Sequence, residues 1–183
     1  MTARADRSRF IVIAGLPGSG KTTVARAVAP LLGLPVFDKD DVLDELFEAR
    51  GIGDAAWRRQ LSRDSDAMLE ARVRDAPGGV VVSFWHLDGM PDDSGTPTGW
   101  LHALSGGIVT VRCVLPVDVA ARHFLSRTRH PGHLDAGRSE ATLIADLERL
   151  SHMPPVSIGR VIDVDTTAPV DAASLAREIL AGP

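Results

Sequence analysis

The stretch Phe10–Thr22 reads FIVIAGLPGSGKT, and it decides the fold. Its first five residues form a short, continuously apolar and β-rich run, which is typical of a parallel strand covered on both faces. After the stretch, apolar residues recur at helical spacing up to Leu32, and Gly33 with Pro35 supplies the stop signal. The sequence therefore predicts a strand, a tight glycine-rich loop and a helix in direct succession.

The loop matches the phosphate-binding pattern G-x-x-x-x-G-K-S/T in full, and it lies between a predicted strand and a predicted helix, as the motif requires. Its backbone N–H groups and the helix N-terminus favour phosphate oxygens, Lys21 suits the β- and γ-phosphates, and Thr22 suits Mg²⁺. The predicted nucleotide-binding residues here are Gly15, Leu16, Pro17, Gly18, Ser19, Gly20, Lys21, Thr22 and Thr23. We expect ATP with Mg²⁺ as the ligand, although the motif does not distinguish ATP from GTP.

An acidic cluster follows the second predicted strand, residues 35–37, and opens the next helix. Asp38 and Asp40 would lie at the carboxyl end of that strand, the edge of a parallel sheet where ligands bind. One carboxylate could hold Mg²⁺, and the other could accept the proton of an attacking hydroxyl. The neighbouring Asp41 suits instead the start of this helix, which is expected near Val42. The residues alone leave open which of Asp38 and Asp40 is the base.

The rest of the chain alternates strands with helices, which predicts a parallel, doubly wound α/β sheet. Further strands are predicted at 80–85, 108–115 and 160–164, and further helices at 55–75, 117–128, 139–150 and 172–180. Turn-forming residues crowd 87–99, which indicates a surface loop. We expect one domain over residues 1–183, because the length suits a single core.

The third predicted strand lacks the acidic residue that many phosphate-loop proteins carry at its end. This absence disfavours a water-activating ATPase more than a kinase. Trp85 and His86 follow the strand and open onto the turn-rich loop, so they are candidates for an acceptor pocket. A core position is equally compatible with Trp85.

Two arginines, Arg127 and Arg129, precede a Pro-Gly turn. Guanidinium groups are planar, multidentate and always protonated, so they suit the charge that grows on a transferred phosphoryl group. The alternative is a solvated helix face with cations at its end.

These motifs together resemble small-molecule kinases of the shikimate and gluconate kinase type and chloramphenicol phosphotransferase-like proteins. The resemblance implies a P-loop NTPase fold of five parallel strands in the order 2-3-1-4-5, with helices on both faces and a lid at about 122–138. It further implies that Asp40 is the catalytic base, that Asp38 lies near the metal, and that Arg127 and Arg129 close over ATP. The Val-Asp-Thr-Thr stretch containing Thr166 resembles the segment that passes the adenine in those proteins.

The composition of the chain limits the kinds of binding partner that we expect. Charged residues make up 24% of the chain and the formal net charge is −4, so a nucleic-acid partner is disfavoured. The chain has no long apolar run and one cysteine, from which we expect no membrane and a cytoplasmic location. We predict ATP-dependent phosphoryl transfer to a hydroxyl of a small molecule. The alternatives are a polynucleotide 5′-hydroxyl kinase and a non-catalytic ATP-binding regulator; the acceptor and the oligomeric state cannot be read from the sequence.

Overall fold

A computed structural model describes residues 9–135 and 138–181. Five parallel strands form one sheet in the order β2-β3-β1-β4-β5, which confirms the predicted fold class and strand order. The strands are β1 (Arg9–Gly15), β2 (Val36–Asp38), β3 (Gly79–Val82), β4 (Gly107–Val114) and β5 (Arg160–Asp165). The single-domain prediction and the lid at 122–138 include residues 1–8, 136, 137, 182 and 183, which lie outside the described residues.

In the described part of the chain, six helices cover the sheet: α1 (Lys21–Leu32), α2 (Lys39–Arg50), α3 (Ala55–Arg74), α4 (Val117–Ser126), α5 (Glu140–Ser151) and α6 (Ala172–Leu180). Short 3-10 turns form at Gly99–Ala103 and Pro131–His133. None of the helices in the described part of the chain combines the length and hydropathy needed to cross a membrane.

The core has two sides because successive side chains of a strand point to opposite faces of the sheet. Ile11 and Ile13 of β1 pack with α1 and α6. Phe10 and Val12 pack on the other face, where Leu69 of α3 joins them. The continuous apolar run of β1 is therefore explained by burial on both faces, and its carboxyl end delivers the glycine-rich loop to the edge of the sheet.

The segment after β3 departs from the prediction. The strand ends at Val82 rather than at Trp85, and Trp85 forms an isolated bridge with Thr96. Thr96 is completely buried, although its loop was expected at the surface. Polar partners explain its burial, because the Thr96 hydroxyl lies between the Ser83 hydroxyl and the Asp66 carboxylate.

Two helix ends also differ from the prediction. α2 begins at Lys39, since Asp38 caps it by accepting a hydrogen bond from the backbone N–H of Asp40. α4 ends at Ser126 rather than at residue 128, and Arg127 is extended. Both arginines therefore lie beyond the end of the helix, where their side chains can reach the carboxyl edge of the sheet.

Candidate active site

The phosphate loop has a backbone shape that its glycines make possible. Gly18 has a φ of 82°, and a Cβ there would lie 2.1 Å from the carbonyl oxygen of Ala120. Gly20 precedes α1 with a φ of 81° and offers no side-chain cap. The first N–H groups of α1 have no intrahelical acceptor and carry the positive end of the helix dipole, which together suit an anion.

Lys21 folds back over the loop. Its ammonium donates hydrogen bonds to the carbonyl oxygens of Gly15 and Leu16, at 3.0 and 2.9 Å. Burial lowers the pKa of Lys21 to about 8. A nearby phosphate would oppose this effect, because an opposite charge favours the charged form.

Thr22 and Asp38 form the predicted metal-binding pair. The Thr22 hydroxyl donates to Oδ2 of Asp38 at 2.7 Å, while Oδ1 accepts from the backbone of Asp40 at 3.0 Å. Asp38 is buried, and burial raises its pKa. Hydroxyl and carboxylate oxygens suit Mg²⁺, which usually takes one or two carboxylates together with waters and substrate phosphates. The pair thus fits a magnesium nucleotide.

Asp40 points into the same pocket as the loop. Its Oδ2 lies 2.6 Å from a guanidinium nitrogen of Arg129, and its side chain is 44% exposed to solvent. Burial acts to raise the pKa of Asp40, but the positive charges of Arg129 and Arg127 outweigh it and hold the pKa below the usual value. Asp40 is therefore an ionised, accessible carboxylate.

The two predicted arginines meet at Asp135. Arg129 pairs with Asp135 at 2.6 Å, and Arg127 approaches the same oxygen at 4.0 Å. The guanidinium of Arg127 also lies 4.2 Å from the ring centre of Phe124, a cation–π contact. Both arginines line the pocket. Asp135 thus balances part of their charge.

We define the lid segment as Arg127–Asp135; it packs against Phe47 of α2. The ring of His130 stacks on Phe47 at 5.1 Å between centres, and a Cβ on Gly132 would lie 2.6 Å from that ring. Nε2 of His133 lies 2.9 Å from a carboxylate oxygen of Asp44, also on α2. These contacts hold the lid segment across the pocket from the phosphate loop.

The pocket has a volume of about 980 Å³. It brings together most of the predicted site residues: Pro17, Gly18, Ser19, Gly20, Lys21, Thr22, Thr23, Asp38, Asp40, Arg127 and Arg129. Gly15 and Leu16 instead border a separate cavity of about 280 Å³ behind the loop. Their carbonyl oxygens are still connected to the pocket, because each accepts a hydrogen bond from Lys21.

Three other predicted residues lie apart from this pocket. Trp85 is buried in the core, where its indole N–H donates to the carbonyl oxygen of Ile13 at 2.8 Å. The ring of His86 contacts the carbonyl oxygen of Ser94 at 2.8 Å. The hydroxyl of Thr166 donates to the carbonyl oxygen of Val114 at 3.3 Å. In the described structure, none of the three belongs to the lining of the pocket that holds Asp40.

Several polar residues of the site, chiefly on α3, were not predicted from the sequence. Arg58, Ser62 and Asp66 are spaced i, i+4 and i+8, so they share one face of the helix. Arg58 and Ser62 line the pocket, and Nε of Arg58 is buried without a hydrogen-bond partner among the described residues. Leu61, Ser65 and Leu69 are buried residues of α3. The helical spacing between them and Arg58, Ser62 and Asp66 is the sequence signal that could have placed these polar residues next to the core.

Comparison with known proteins shows that this chain is similar to several kinases. A family model described as "Cytidylate kinase-like family" matches residues 10–87. A shikimate kinase of Mesorhizobium japonicum is 34% identical over 43% of this chain and 49% of its own length. A cytidylate kinase of Pyrobaculum islandicum is 38% identical over 42% of this chain and 44% of its own length. The chain thus spans about half the length of the curated relatives it matches.

The similarity in structure extends further along the chain. The crystal structure of a putative kinase from Chloroflexus aurantiacus J-10-fl superposes with a TM-score of 0.76 and 26% identity, covering 97% of this chain and 99% of the other. The predicted P-loop NTPase fold and the resemblance to small P-loop kinases of the shikimate and gluconate kinase type are confirmed.

Proposed function

We propose that this protein transfers the γ-phosphoryl group of ATP to a hydroxyl of a small molecule, with Mg²⁺ as the cofactor. The observation that carries the proposal is the position of Asp40. This ionised carboxylate shares one pocket with residues 17–22 of the phosphate loop and two arginines. Small-molecule transfer needs these three parts: a donor site, a base and positive charge near the reacting phosphorus.

In the proposed reaction the acceptor oxygen bonds to the γ-phosphorus, and the bond from that phosphorus to the β,γ-bridging oxygen breaks. ADP leaves, and the hydroxyl proton passes to Asp40. Lys21 and the backbone of the loop bind the phosphates, while Thr22 and Asp38 would hold Mg²⁺, which neutralises phosphate charge. Arg127 and Arg129 stabilise the charge on the transferred group. Asp38 is less suited to the base role, because it is buried and already caps α2.

Arg129 and the acceptor hydroxyl compete for Asp40 in this reaction. Arg129 pairs with Oδ2 of Asp40 and with Asp135 in the structure, so its departure opens that oxygen to an acceptor hydroxyl. The triphosphate supplies the alternative anion for the guanidinium. Nucleotide binding would therefore free the base for its acceptor.

The acceptor side offers two buried groups without partners among the described residues, Nε of Arg58 and Nδ1 of His133. Burial lowers the pKa of His133, which favours the neutral ring. If Nε2 then donates to Asp44, Nδ1 accepts a hydrogen bond, whereas Arg58 can only donate. An acceptor that carries both hydroxyl groups and a hydrogen-bond-accepting or anionic group would satisfy both.

A nucleoside monophosphate is the second candidate acceptor. The cytidylate kinase-like match over residues 10–87 favours it, and that range contains both the phosphate loop and Arg58. A phosphate oxygen would then attack in place of a hydroxyl. Arg58 and Arg129 supply charge that suits a phosphate.

A transfer assay separates these candidates. Purified protein with Mg²⁺ and γ-³²P-labelled ATP is offered three panels: hydroxylated small molecules, nucleoside monophosphates, and oligonucleotides with a free 5′-hydroxyl. We expect label in a small hydroxylated product, identified by mass spectrometry. Label in a nucleotide or an oligonucleotide would replace the proposed acceptor class. ATP binding without transfer to any panel would favour a regulator. The proposal includes a cytoplasmic location, where ATP and Mg²⁺ are abundant.

A further inference from the structure

A chain of hydrogen bonds joins the end of β3 to α3. The Ser83 hydroxyl lies 2.5 Å from the Thr96 hydroxyl, and the Thr96 hydroxyl donates to Oδ1 of Asp66 at 2.7 Å. All three groups are shielded from solvent: Thr96 is fully buried, Ser83 is 3% exposed, and the Asp66 side chain is 18% exposed. Ser83 forms part of the lining of the phosphate pocket.

Hydrogen-bond chemistry fixes the direction of this chain. A hydroxyl has a single proton, and an ionised carboxylate can only accept. Since Thr96 gives its proton to Asp66, it must accept from Ser83. Ser83 therefore donates away from the pocket, and only its lone pairs remain for a group inside the pocket.

Lys39 pairs with Asp66 at the end of this chain. Its ammonium lies 2.6 Å from Oδ1 of Asp66 and also donates to the Ser62 hydroxyl at 3.1 Å. The Lys39 side chain is only 10% exposed, so the pair is largely shielded from solvent. Asp66 thus determines the direction in which the Thr96 and Ser83 hydroxyls donate their hydrogen bonds.

The orientation of Ser83 matches a need of the donor site. Mg²⁺ keeps several of its waters when it binds nucleotide phosphates, and those waters donate hydrogen bonds to neighbouring acceptors. Ser83 directly follows β3, the strand that lacks an acidic residue at its end, and it shares the pocket with Thr22 and Asp38. An acceptor-only hydroxyl can take such a bond as a carboxylate would.

We propose that Asp66 and Thr96 are positioning residues that hold Ser83 as a hydrogen-bond acceptor for the water shell of nucleotide-bound Mg²⁺. This proposal rests on the proposed function, because it requires ATP and Mg²⁺ at the loop. Asp66 acts at a distance, through two hydroxyls, in place of a carboxylate at the end of β3. A purely structural role would only tie the loop after β3 to α3.

The Thr96→Val substitution separates the two roles. It keeps the shape of the side chain but frees the Ser83 proton to turn into the pocket, where it opposes the protons of metal-bound water. Binding of the non-hydrolysable analogue AMP-PNP is measured by calorimetry, first in EDTA and then over a series of MgCl₂ concentrations. We expect the Mg²⁺ concentration for half-maximal enhancement to rise by about ten-fold, the scale of losses at groups that orient metal ligands. Affinity in EDTA should stay unchanged.

Thr110→Val is the matched control. Thr110 is equally buried, but its hydroxyl donates to the carbonyl oxygen of Ile158, away from the site. Thr110→Val and Thr96→Ser should both keep the wild-type Mg²⁺ dependence. Ser83→Ala should match Thr96→Val, and the double variant should show no further loss, because one interaction is removed in each case. Asp66→Ala tests the same chain if Thr96→Val does not fold.

Each outcome decides between the roles. A wild-type Mg²⁺ dependence in Thr96→Val, or an equal loss in Thr110→Val, overturns the positioning role and leaves the proposed function standing. Absence of AMP-PNP binding to the wild-type protein, with and without MgCl₂, overturns both proposals. Asp66→Ala removes the group that takes the Thr96 proton, which lets Thr96 donate to Ser83, so the same ten-fold rise is expected and its absence counts against the role.

Discussion

Lys21 has two alternative sets of partners: the loop carbonyl groups that it contacts in the structure, and the phosphate oxygens that it would contact in a nucleotide complex. The sequence pattern predicts the residue and its phosphate role. It does not predict the lowered pKa, because that arises from burial that depends on the whole fold.

This pKa predicts proton uptake on nucleotide binding. With a pKa of about 8, roughly three-quarters of Lys21 is neutral at pH 8.5 in the free protein, and phosphate charge raises the pKa. ATP binding at pH 8.5 should therefore take up a fraction of a proton, and binding at pH 6.5 should take up almost none. Calorimetry in buffers of different ionisation enthalpy measures the uptake. Lys21→Arg should abolish it, since arginine stays protonated; unchanged uptake in this variant would assign the proton to another group.

Arg129 acts on Asp40 in the free protein and on the phosphoryl group in the proposed reaction. Arg129→Ala should lower the rate of transfer by about 100-fold, the cost of losing one donor at developing charge. The acid limb of the pH–rate profile should also move to higher pH, because burial would then raise the pKa of Asp40 with less opposition. Arg122→Ala is the control: Arg122 is exposed and pairs only with Asp118 among the described residues. Equal rates for both variants would contradict the role of Arg129.

At the scale of elements, the sequence patterns predicted every α-helix and strand that the described residues form, whereas contacts between elements set their ends. α2 begins earlier than expected because the Asp38 side chain turns back to cap it. The burial of Thr96 depends on α3, which contributes a carboxylate 30 residues earlier in the chain. Such partners meet only in three dimensions, so local patterns could not identify them.

The packing of the phosphate loop on α4 predicts a difference between two glycines. In Gly18→Ala, the new Cβ would meet the Ala120 carbonyl oxygen at 2.1 Å, so the loop must shift away from α4. In Gly20→Ala the Cβ meets nothing within 4 Å, and only the φ of 81° is unfavourable, at a cost of about 1–2 kcal/mol. Gly18→Ala should therefore lower the free energy of unfolding more than Gly20→Ala does. Urea denaturation measures both, and the reverse order would exclude the close approach to Ala120 as the cause.

For the molecule as a whole, the parallel strand order brings the loop after β1 and the acidic pair after β2 to one edge, with β3 between them. That meeting of Thr22 and Asp38 followed from topology and could be predicted. The acceptor side could not, because it is built from α2, α3 and the lid segment, whose mutual packing has no local signature. Trp85 illustrates the limit: its position after a strand was equally compatible with a pocket and with the core, and its indole lies in the core.

The role of Asp40 is tested by comparing Asp40→Asn with the wild-type protein, using the acceptor that the transfer assay identifies. Asparagine keeps the shape of aspartate but cannot take a proton as a base. We predict that Asp40→Asn binds ATP with Mg²⁺ at near wild-type affinity and transfers phosphate at least about 100-fold more slowly, within the range for loss of a general base. Lys21→Ala should lose both properties. Transfer by Asp40→Asn at the wild-type rate would contradict the assignment of Asp40 as the base.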